Sequence, residues 1–591
     1  MKILNIKKLA VATVLLVGMT SCDTFLNRPV EDSFTIDGFY QNDAQCYQAV
    51  NPIYNSPWYD FQRGWVKIGD ALAGNIYYGT SDPYQTFVLS SSDQPLKDAS
   101  ASLWSVNAYC NGIVENIDMK SGPEVTQTAK NTVKGEAMTW KAMSYFFLVR
   151  CYGAVPIIHN NSQVISSKTS NSLKRNNIGD VYTYIVKTLE KAIEILPAHN
   201  LPGRIDKYSA YGLLAKVYLA KSGYGSTDGT RNADDLSKSA LYAKKVIDES
   251  GRTLMPVYSD IFREANNGTQ AFVGEDLISW QWTVGTHWTC QNTEQSDLAL
   301  AGFDEYADTW GTYTSPTIDL QRAFDEDATN KTAGLRNNND ARRKSTMMMM
   351  GDHYDYFWAD KKTSDGVVGF TYDWDGTKKT WADGSVTQLT YGSATGANLV
   401  KHIVGDNYDN VIGSGMAMQR MQTSLSTHLL RLADVYLIYA EAVLGNGSST
   451  SDAGALKAFN AVRDRSIKNN TQRTSITFDD IFKERRLELA CEGDNWYDFV
   501  RLSYYNKDDA ENRLASQERG YWNNLDGYYK GTLTDLTTLV VTSSKVPKAN
   551  IDQYYDATLK TFAIPFPDTD AAMNPHLSDA PVPFDFSTIG Y

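Results

Sequence analysis

Three stretches of this chain repeat one another, and the repetition restricts its fold more than any other feature. Ala142-x-x-Tyr145, Ala215-x-x-Tyr218 and Ala433-x-x-Tyr436 each lie in a helical pattern that stops near a glycine, at Gly153, Gly223 and Gly445. A second amphipathic helix follows each one. Val181, Ile185, Leu189, Ala192 and Leu196 share a face in the first, which Pro197 closes; Ala240, Ala243 and Ile247 share one in the second, and Leu456, Phe459 and Val462 in the third. Small Ala where helices cross, with bulky Tyr beside it, is the logic of tetratricopeptide-like pairs. Such pairs stack because none buries its apolar face alone. The spacing is irregular and a long insertion separates the second and third pairs. The pattern therefore predicts a mostly α fold: a scaffold of tetratricopeptide-like helix pairs, decorated rather than regular. An earlier pair is expected at Asp37 to Tyr54 and Ala99 to Met119.

Between about Pro256 and Thr423 the character changes to Gly, Asn, Asp and aromatics. Ile278, Trp280, Trp282 and Val284 alternate as in a strand, and Asp375-Gly376 and Asp383-Gly384 read as tight turns, with Trp374 and Trp381 flanking the first. This is a large irregular, loop-rich insertion with short strands and hairpins. No Pro-, Gly- or Ser-rich linker divides the 591 residues. One unit is expected: scaffold over about 35–255 and 424–500, insertion over about 256–423, and an irregular tail over 501–591.

The first segment is a signal peptide by pattern. Lys2, Lys7 and Lys8 precede an apolar run from Leu9 to Val17, too short to remain as a bilayer span. It ends at Gly18-Met19-Thr20-Ser21-Cys22, which resembles a lipobox. Residues 1–21 would be removed and Cys22 would become a diacylated N-terminus, anchoring the chain by its acyl groups. Cys46, Cys110, Cys151, Cys290 and Cys491 remain, an odd number at irregular spacing, which argues against a disulfide framework.

Net charge of −13 excludes a phosphate-neutralising surface, so nucleic acid is not an expected partner. Aromatic content is 12%, with 36 Tyr and 13 Trp, more hydroxylated ring than a core favours. Some rings belong at surfaces.

Gly135-Glu136-Ala137 with Tyr145 to Val149 and Tyr152-Gly153-Ala154-Val155-Pro156, and later Leu430 to Ala442, are similar to the long helix with its following turn and to the late helix of the SusD/RagB family. Glu484-Arg485-Arg486-Leu487-Glu488-Leu489-Ala490, then Glu492-Gly493, Trp496-Tyr497-Asp498 and Arg501, resembles its most recognisable motif. Cys22-Asp23-x-Phe25-Leu26 with Pro29 matches the family's start, and Ile564-Pro565-Phe566-Pro567 with Asn574-Pro575 its ending. Asn495 departs from it, standing where Arg is common. The resemblance implies a glycan-capturing lipoprotein, without catalysis, on the outer face of the outer membrane. It implies a SusC-like TonB-dependent transporter as partner, with the repeat helices facing that barrel. Peptide capture, as by RagB-like relatives, is the alternative; a surface glycosidase is a third reading.

The same motif has a physical reading from its residues. Thr477-x-x-Asp480 forms a capping box that opens the helix carrying Glu484 and Glu488, which repel unless Arg431, Arg485 or Arg501 stands between them. Glu488 and Asp498 are therefore structural rather than ligand groups. Seven His residues show no zinc spacing, and no phosphate loop, dinucleotide fingerprint or nucleophile elbow is present, so no cofactor is expected. Asp325-Glu326-Asp327 could offer a carboxylate pair or a calcium site, but reads as a solvated acidic turn. The Met347 to Met350 run reads as packing.

A sugar ring has an apolar C–H face and a hydroxyl rim, so its site needs flat rings beside Asp, Asn, Arg or Gln. The insertion supplies Trp280, Trp282, Trp288, Trp310, Tyr313, Trp358 and Tyr391; the loop from Trp58 to Tyr84 supplies Trp65, Asp70, Asn75, Tyr77, Tyr78 and Tyr84. The resemblance places the ligand on these two regions. Trp310, Trp288, Asp70 and Tyr84 are the leading candidates, with Cys290, Asn75, Tyr77, Tyr313 and Tyr391 beside them.

Overall fold

Asn42 starts the first helix: its side chain accepts a hydrogen bond from Gln45 N at 3.0 Å and opens α1 (Asp43–Val50). In this computed structural model, residues 39–267, 274–285, 287–303, 309, 311, 314–330, 336, 338–374, 378–388, 393–414, 422–542 and 562–591 are described. The scaffold continues through α2 (Tyr59–Val66), α3 (Gln94–Lys120), α4 (Gln127–Tyr152), α5 (Ile178–Ile195), α6 (Lys207–Lys221) and α7 (Ala233–Glu249). Thr126, Asp206 and Asn232 cap α4, α6 and α7 by accepting from the backbone three residues on. From α3 to α7 each helix packs against the next. The early pair is thus present, its second member beginning ahead of the expected Ala99.

Gly153 and Gly445 end α4 and α10 (Leu432–Leu444) at φ of +72° and +55°, where glycine is the inexpensive residue. Gly223 works differently. The chain leaves α6 through Ser222 in ordinary helical geometry, and a Cβ at Gly223 would meet the Tyr505 ring at 2.5 Å. Close approach, not backbone conformation, explains that glycine.

The insertion is closed by a two-stranded antiparallel ladder. β1 (Asp276–Trp280) pairs with β6 (Thr427–Arg431), Thr427 opposite Trp280 and Arg431 opposite Asp276. The strand expected from the alternation at Ile278, Trp280, Trp282 and Val284 is present but stops at Trp280, and every β1 residue is buried. Between these strands lie α8 (Ile318–Ala323), α9 (Ala341–Thr346), β2 (Met347–Met349), β3 (Lys378–Thr380), β4 (Val386–Gln388) and β5 (Ala397–Leu399). β2 pairs with β5 and its three Met side chains are buried, so the methionine run is packing. β3 and β4 form a hairpin over Asp383-Gly384, with Gly384 at φ +83°. The Asp375-Gly376 turn lies outside the described residues.

Past the ladder, α10 packs directly on α7, so the helical stack resumes as if uninterrupted. α11 (Ala453–Ser466), α12 (Phe478–Leu489), α13 (Asn495–Ser503) and α14 (Lys507–Ala515) complete it. The Thr477–Asp480 capping box is formed, Asp480 N donating to Thr477 Oγ1 and Thr477 N to Asp480 Oδ2.

The carboxylates of α12 are neutralised by the expected Arg431 together with Arg342 and Arg465, which were not expected. Arg342 on α9 bridges Glu484 at 2.6 Å and Glu488 at 3.2 Å. Arg431 reaches Glu488 at 3.0 Å and Glu492 at 2.7 Å; Arg465 also pairs with Glu488. Arg485 and Arg501 point instead to Asp498, each at 3.0 Å, and Arg485 continues to Asp434 at 2.6 Å. Burial raises the Glu488 pKa, but the Arg465, Arg431 and Arg342 charges more than offset it and hold the carboxyl well below its usual range. Glu488 and Asp498 are thereby committed to tying α9, β6 and the late helices together. The acidic turn is also engaged: Asp327 pairs with Arg322 at 3.3 Å, Glu326 is buried, and Asp325 takes φ +57°.

Candidate functional site

Trp288 begins a single 3-10 turn, Trp288–Cys290, opened by His287. The turn is pinned from several sides. Cys290 N donates to His287 O at 2.9 Å, Thr283 N donates to Cys290 O at 2.8 Å, and the Ser56 and Thr289 hydroxyls share a hydrogen bond at 2.7 Å. Gln291 Nε2 donates to Trp288 O at 3.1 Å, while Gln62 Nε2 donates to Gln291 O at 3.2 Å. The indole is left outside this framework at 46% exposure; among the described residues no other Trp is exposed. A turn pinned by hydrogen bonds therefore holds a wet ring, which keeps the ordering cost of binding low.

Its neighbours come from α2. Tyr59 meets Trp288 edge-on with centroids 6.2 Å apart, and burial raises the Tyr59 hydroxyl pKa while hydrogen bonds with Thr293 and Trp288 oppose that. One turn on, Arg63 pairs with Asp297 through two contacts, Nε to Oδ2 at 3.0 Å and Nη2 to Oδ1 at 3.3 Å. Both side chains stay partly exposed. Four residues further, Lys67 reaches Asp82 at 2.6 Å and lies 4.8 Å from the Tyr78 ring centroid and 5.0 Å from that of Tyr84. Spacing of four puts Tyr59, Arg63 and Lys67 on one helical face. The result is a flat ring beside a fringe of donors and acceptors.

Of the expected residues that are described, only Trp288 and the half-buried Cys290 border this surface, and Cys290 contributes its backbone to the turn. Asp70, Asn75, Tyr77 and Tyr84 are buried at 0%, 0%, 6% and 1% exposure. Asp70 accepts from Asn75 Nδ2 at 2.8 Å, Cys491 N at 2.8 Å and Gly493 N at 2.6 Å, and burial pushes its carboxyl up to about 6 despite those bonds. It holds Cys491 in the left-handed region at φ +64°, in the turn after α12. Asn75 also donates to Asn495 Oδ1 at 2.7 Å and accepts from Arg486 Nε at 2.9 Å. Tyr77 pairs opposite Ser315 in a short ladder, and Tyr84 packs under Lys67. These four side chains join the early loop to the interior, and the structure withdraws them from solvent. Trp65, Trp280, Trp282 and Trp358 are likewise core, Trp358 stacked on Trp381 with centroids 5.5 Å apart.

Trp310, Tyr313, Tyr391 and Cys22 lie outside the described residues. Their described neighbours are informative. A Cβ on Gly311 would come within 2.5 Å of the Leu298 backbone, and Thr314 Oγ1 donates to Asp297 O at 2.9 Å. Gly311 and Thr314 thus meet the backbone that presents Asp297. Tyr59, Arg63 and Asp297 were not anticipated. The i, i+4 spacing of Tyr59 and Arg63 was visible in the sequence, but nothing local connects them to Trp288.

Comparison with known proteins bears on what this surface is for. The model described as "SusD family" matches residues 281–581, and that described as "Starch-binding associating with outer membrane" matches residues 91–219. A SusD-like protein of Bacteroides ovatus is 32% identical over 98% of both chains. A crystal structure with xylogluco-oligosaccharide shares 30% identity at a TM-score of 0.75, over 92% of this chain and 99% of the other. A SusD-like carbohydrate binding protein from Bacteroides fragilis, at 18% identity and TM-score 0.67, shares the fold over 91% of this chain and 99% of its own.

Proposed function

The chain belongs to the SusD family, and on that premise we propose that it captures oligosaccharides on the surface built around Trp288. One observation carries this reading: an exposed indole on a rigid turn, bordered by Tyr59 and the accessible Arg63–Asp297 pair. The indole stacks on the C–H face of a sugar ring. Arg63 donates to hydroxyl oxygens at the rim and Asp297 accepts from hydroxyl hydrogens. The similar structure with xylogluco-oligosaccharide makes a xyloglucan fragment the first ligand to try.

Capture involves no bond breaking in this reading. The glycan passes to a SusC-like TonB-dependent transporter, and the acylated Cys22 holds the chain at the outer membrane beside it. Calorimetry on a panel of neutral oligosaccharides tests the capture step. Trp288→Ala should weaken the best ligand at least about tenfold, the loss of a stacked ring being worth roughly 1.4 kcal/mol or more. Unchanged affinity in that variant would remove the platform from the account. Heat from a peptide pool with none from any glycan would shift the function to peptide capture. Release of reducing sugar at enzyme-like rates would overturn the non-catalytic reading.

A further inference from the structure

The short helix Glu294–Leu298 keeps Asp297 partly exposed at the Trp288 surface and turns its first residue inward. Glu294 is buried, and so is the residue it faces, His402, in the loop after β5. The His402 ring meets an acceptor on each side: Nδ1 lies 3.0 Å from Glu294 Oε2 and Nε2 lies 2.6 Å from Cys491 O. A neutral imidazole donates from one nitrogen only, so two buried acceptors at these distances call for the doubly protonated ring.

The surroundings favour that form. Glu294 faces the ring from the short helix and Glu492 from the turn after α12; Lys401 and Arg431 are already paired with Glu492, at 2.8 Å and 2.7 Å. Asp70 stands beyond Cys491, accepting from its N–H, and burial pushes the Cys491 thiol up so that it stays neutral. Trp65 of α2, edge to face with the ring at 5.6 Å, and Thr427 of β6, whose hydroxyl donates to Glu294 Oε2 at 3.3 Å, add no charge. Burial lowers the His402 pKa, but the Glu294 charge and the hydrogen bonds to Glu294 and Cys491 O, with Glu492 behind them, hold it above the ordinary histidine value.

The same loop grips the short helix a second time. His402 takes φ +70°, a left-handed conformation uncommon for a side-chain-bearing residue, and two residues on Val404 N donates to Gln295 Oε1 at 2.7 Å. Three residues from Glu294, Asp297 reaches outward to Arg63. From this chain of contacts we propose that His402, as an imidazolium, is a positioning residue of the Trp288 surface: it fixes the Glu294–Leu298 helix, which holds Asp297 against Arg63 beside the indole. The inference rests on the oligosaccharide reading above and adds a regulation to it. Loss of the second proton turns a lone pair toward either the Glu294 carboxylate or the Cys491 carbonyl. The helix then withdraws and the rim loses its fixed acceptor. A group whose folded pKa is raised contributes fully below its unfolded value and fades as pH rises through the folded one, so capture weakens on the alkaline side.

Two measurements on the full chain test this. One is calorimetry from about pH 6 to about pH 10 with the neutral oligosaccharide that binds best; the other is NMR titration of the histidine rings with and without that ligand at saturation. Affinity should fall at least about fivefold toward the alkaline end, and saturation should raise the His402 pKa by about 0.7, the logarithm of the same factor, because linkage is reciprocal. His402→Gln should bind weakly with a flattened pH profile, and Glu294→Gln should move the fall toward lower pH. A histidine that only supports the fold gives no shift on ligand binding. An unshifted His402 pKa at saturation, or the same affinity profile in wild type and His402→Gln, overturns the proposal; if neither variant folds, the two wild-type pKa values decide it. Absence of heat from every oligosaccharide overturns the Trp288 reading and this inference together, whereas binding without pH coupling overturns the inference alone.

Discussion

Asp70 shows how a residue type suited to one task is used for another. Its carboxylate accepts two backbone N–H groups across a turn that includes a left-handed Cys491, with Gly69 packed so closely that a Cβ would meet Gly493 at 2.2 Å. Asp70→Ala leaves those buried donors without acceptors, at roughly 1–3 kcal/mol each. Urea unfolding should therefore show a loss of about 3 kcal/mol, while the folded protein keeps its oligosaccharide affinity within about twofold. Loss of affinity without loss of stability would return Asp70 to the ligand surface. The choice between these roles was not legible in the sequence. Asp, Asn and Tyr bond to a sugar hydroxyl and to a neighbouring backbone with the same chemistry, and only burial separates the two. Trp288 was legible as a candidate because a large ring beside turn residues has few structural uses on a surface. Its partners Tyr59 and Arg63 were hidden by more than two hundred intervening residues.

Elements that close on one another through carboxyl groups should respond to pH. Glu264, in the loop after α7, accepts from Ser424 N at 3.1 Å just ahead of β6, and burial pushes its carboxyl up to about 8. Nearby, Asp409 accepts from Trp358 N at 2.6 Å and is pushed up to about 6 by burial; burial and the charge of Asp409 push Asp406 up to about 8. A carboxyl whose folded pKa lies above its unfolded value contributes stability that is fully present at low pH and fades as pH rises through the folded value. The contact between the 258–267 loop and residues 422–426 should therefore loosen between about pH 4 and pH 8. Hydrogen exchange at Ser424 and its neighbours, corrected for intrinsic rates, should accelerate across that window in the wild type and less steeply in Glu264→Gln. Identical profiles would remove Glu264 as the cause. Helices were the legible elements here: periodicity and caps located α5, α7 and α11 closely. The ladder β1–β6 was partly legible, since its strand had the right alternation, but a partner so distant in sequence and a second covered face leave no local sign.

For the whole molecule, the continuity of the stack from α7 to α10 leaves the insertion as a passenger on a helical frame. Among the described residues no helix is long and apolar enough to cross a membrane, and the anchoring proposed above rests on Cys22. Cys22→Ser should move the protein from the membrane fraction to the soluble fraction while leaving its sugar affinity within about twofold. Persistence in the membrane fraction after a high-salt wash would assign attachment to another part of the chain. The arginines that neutralise Glu484 and Glu488 illustrate what sequence conceals at this scale. Arg431 was among the expected partners, but Arg342 arrives from inside the insertion, so the frame's charge balance is completed by the segment it supports.

β1 and β6 lie side by side, so the excursion departs and returns through a single doorway. A lineage can rewrite what projects from that doorway while the threshold stays fixed, provided that a guanidinium equivalent to Arg342 returns to the same place. Diversity of ligand can then be met by renovating one room rather than rebuilding the house.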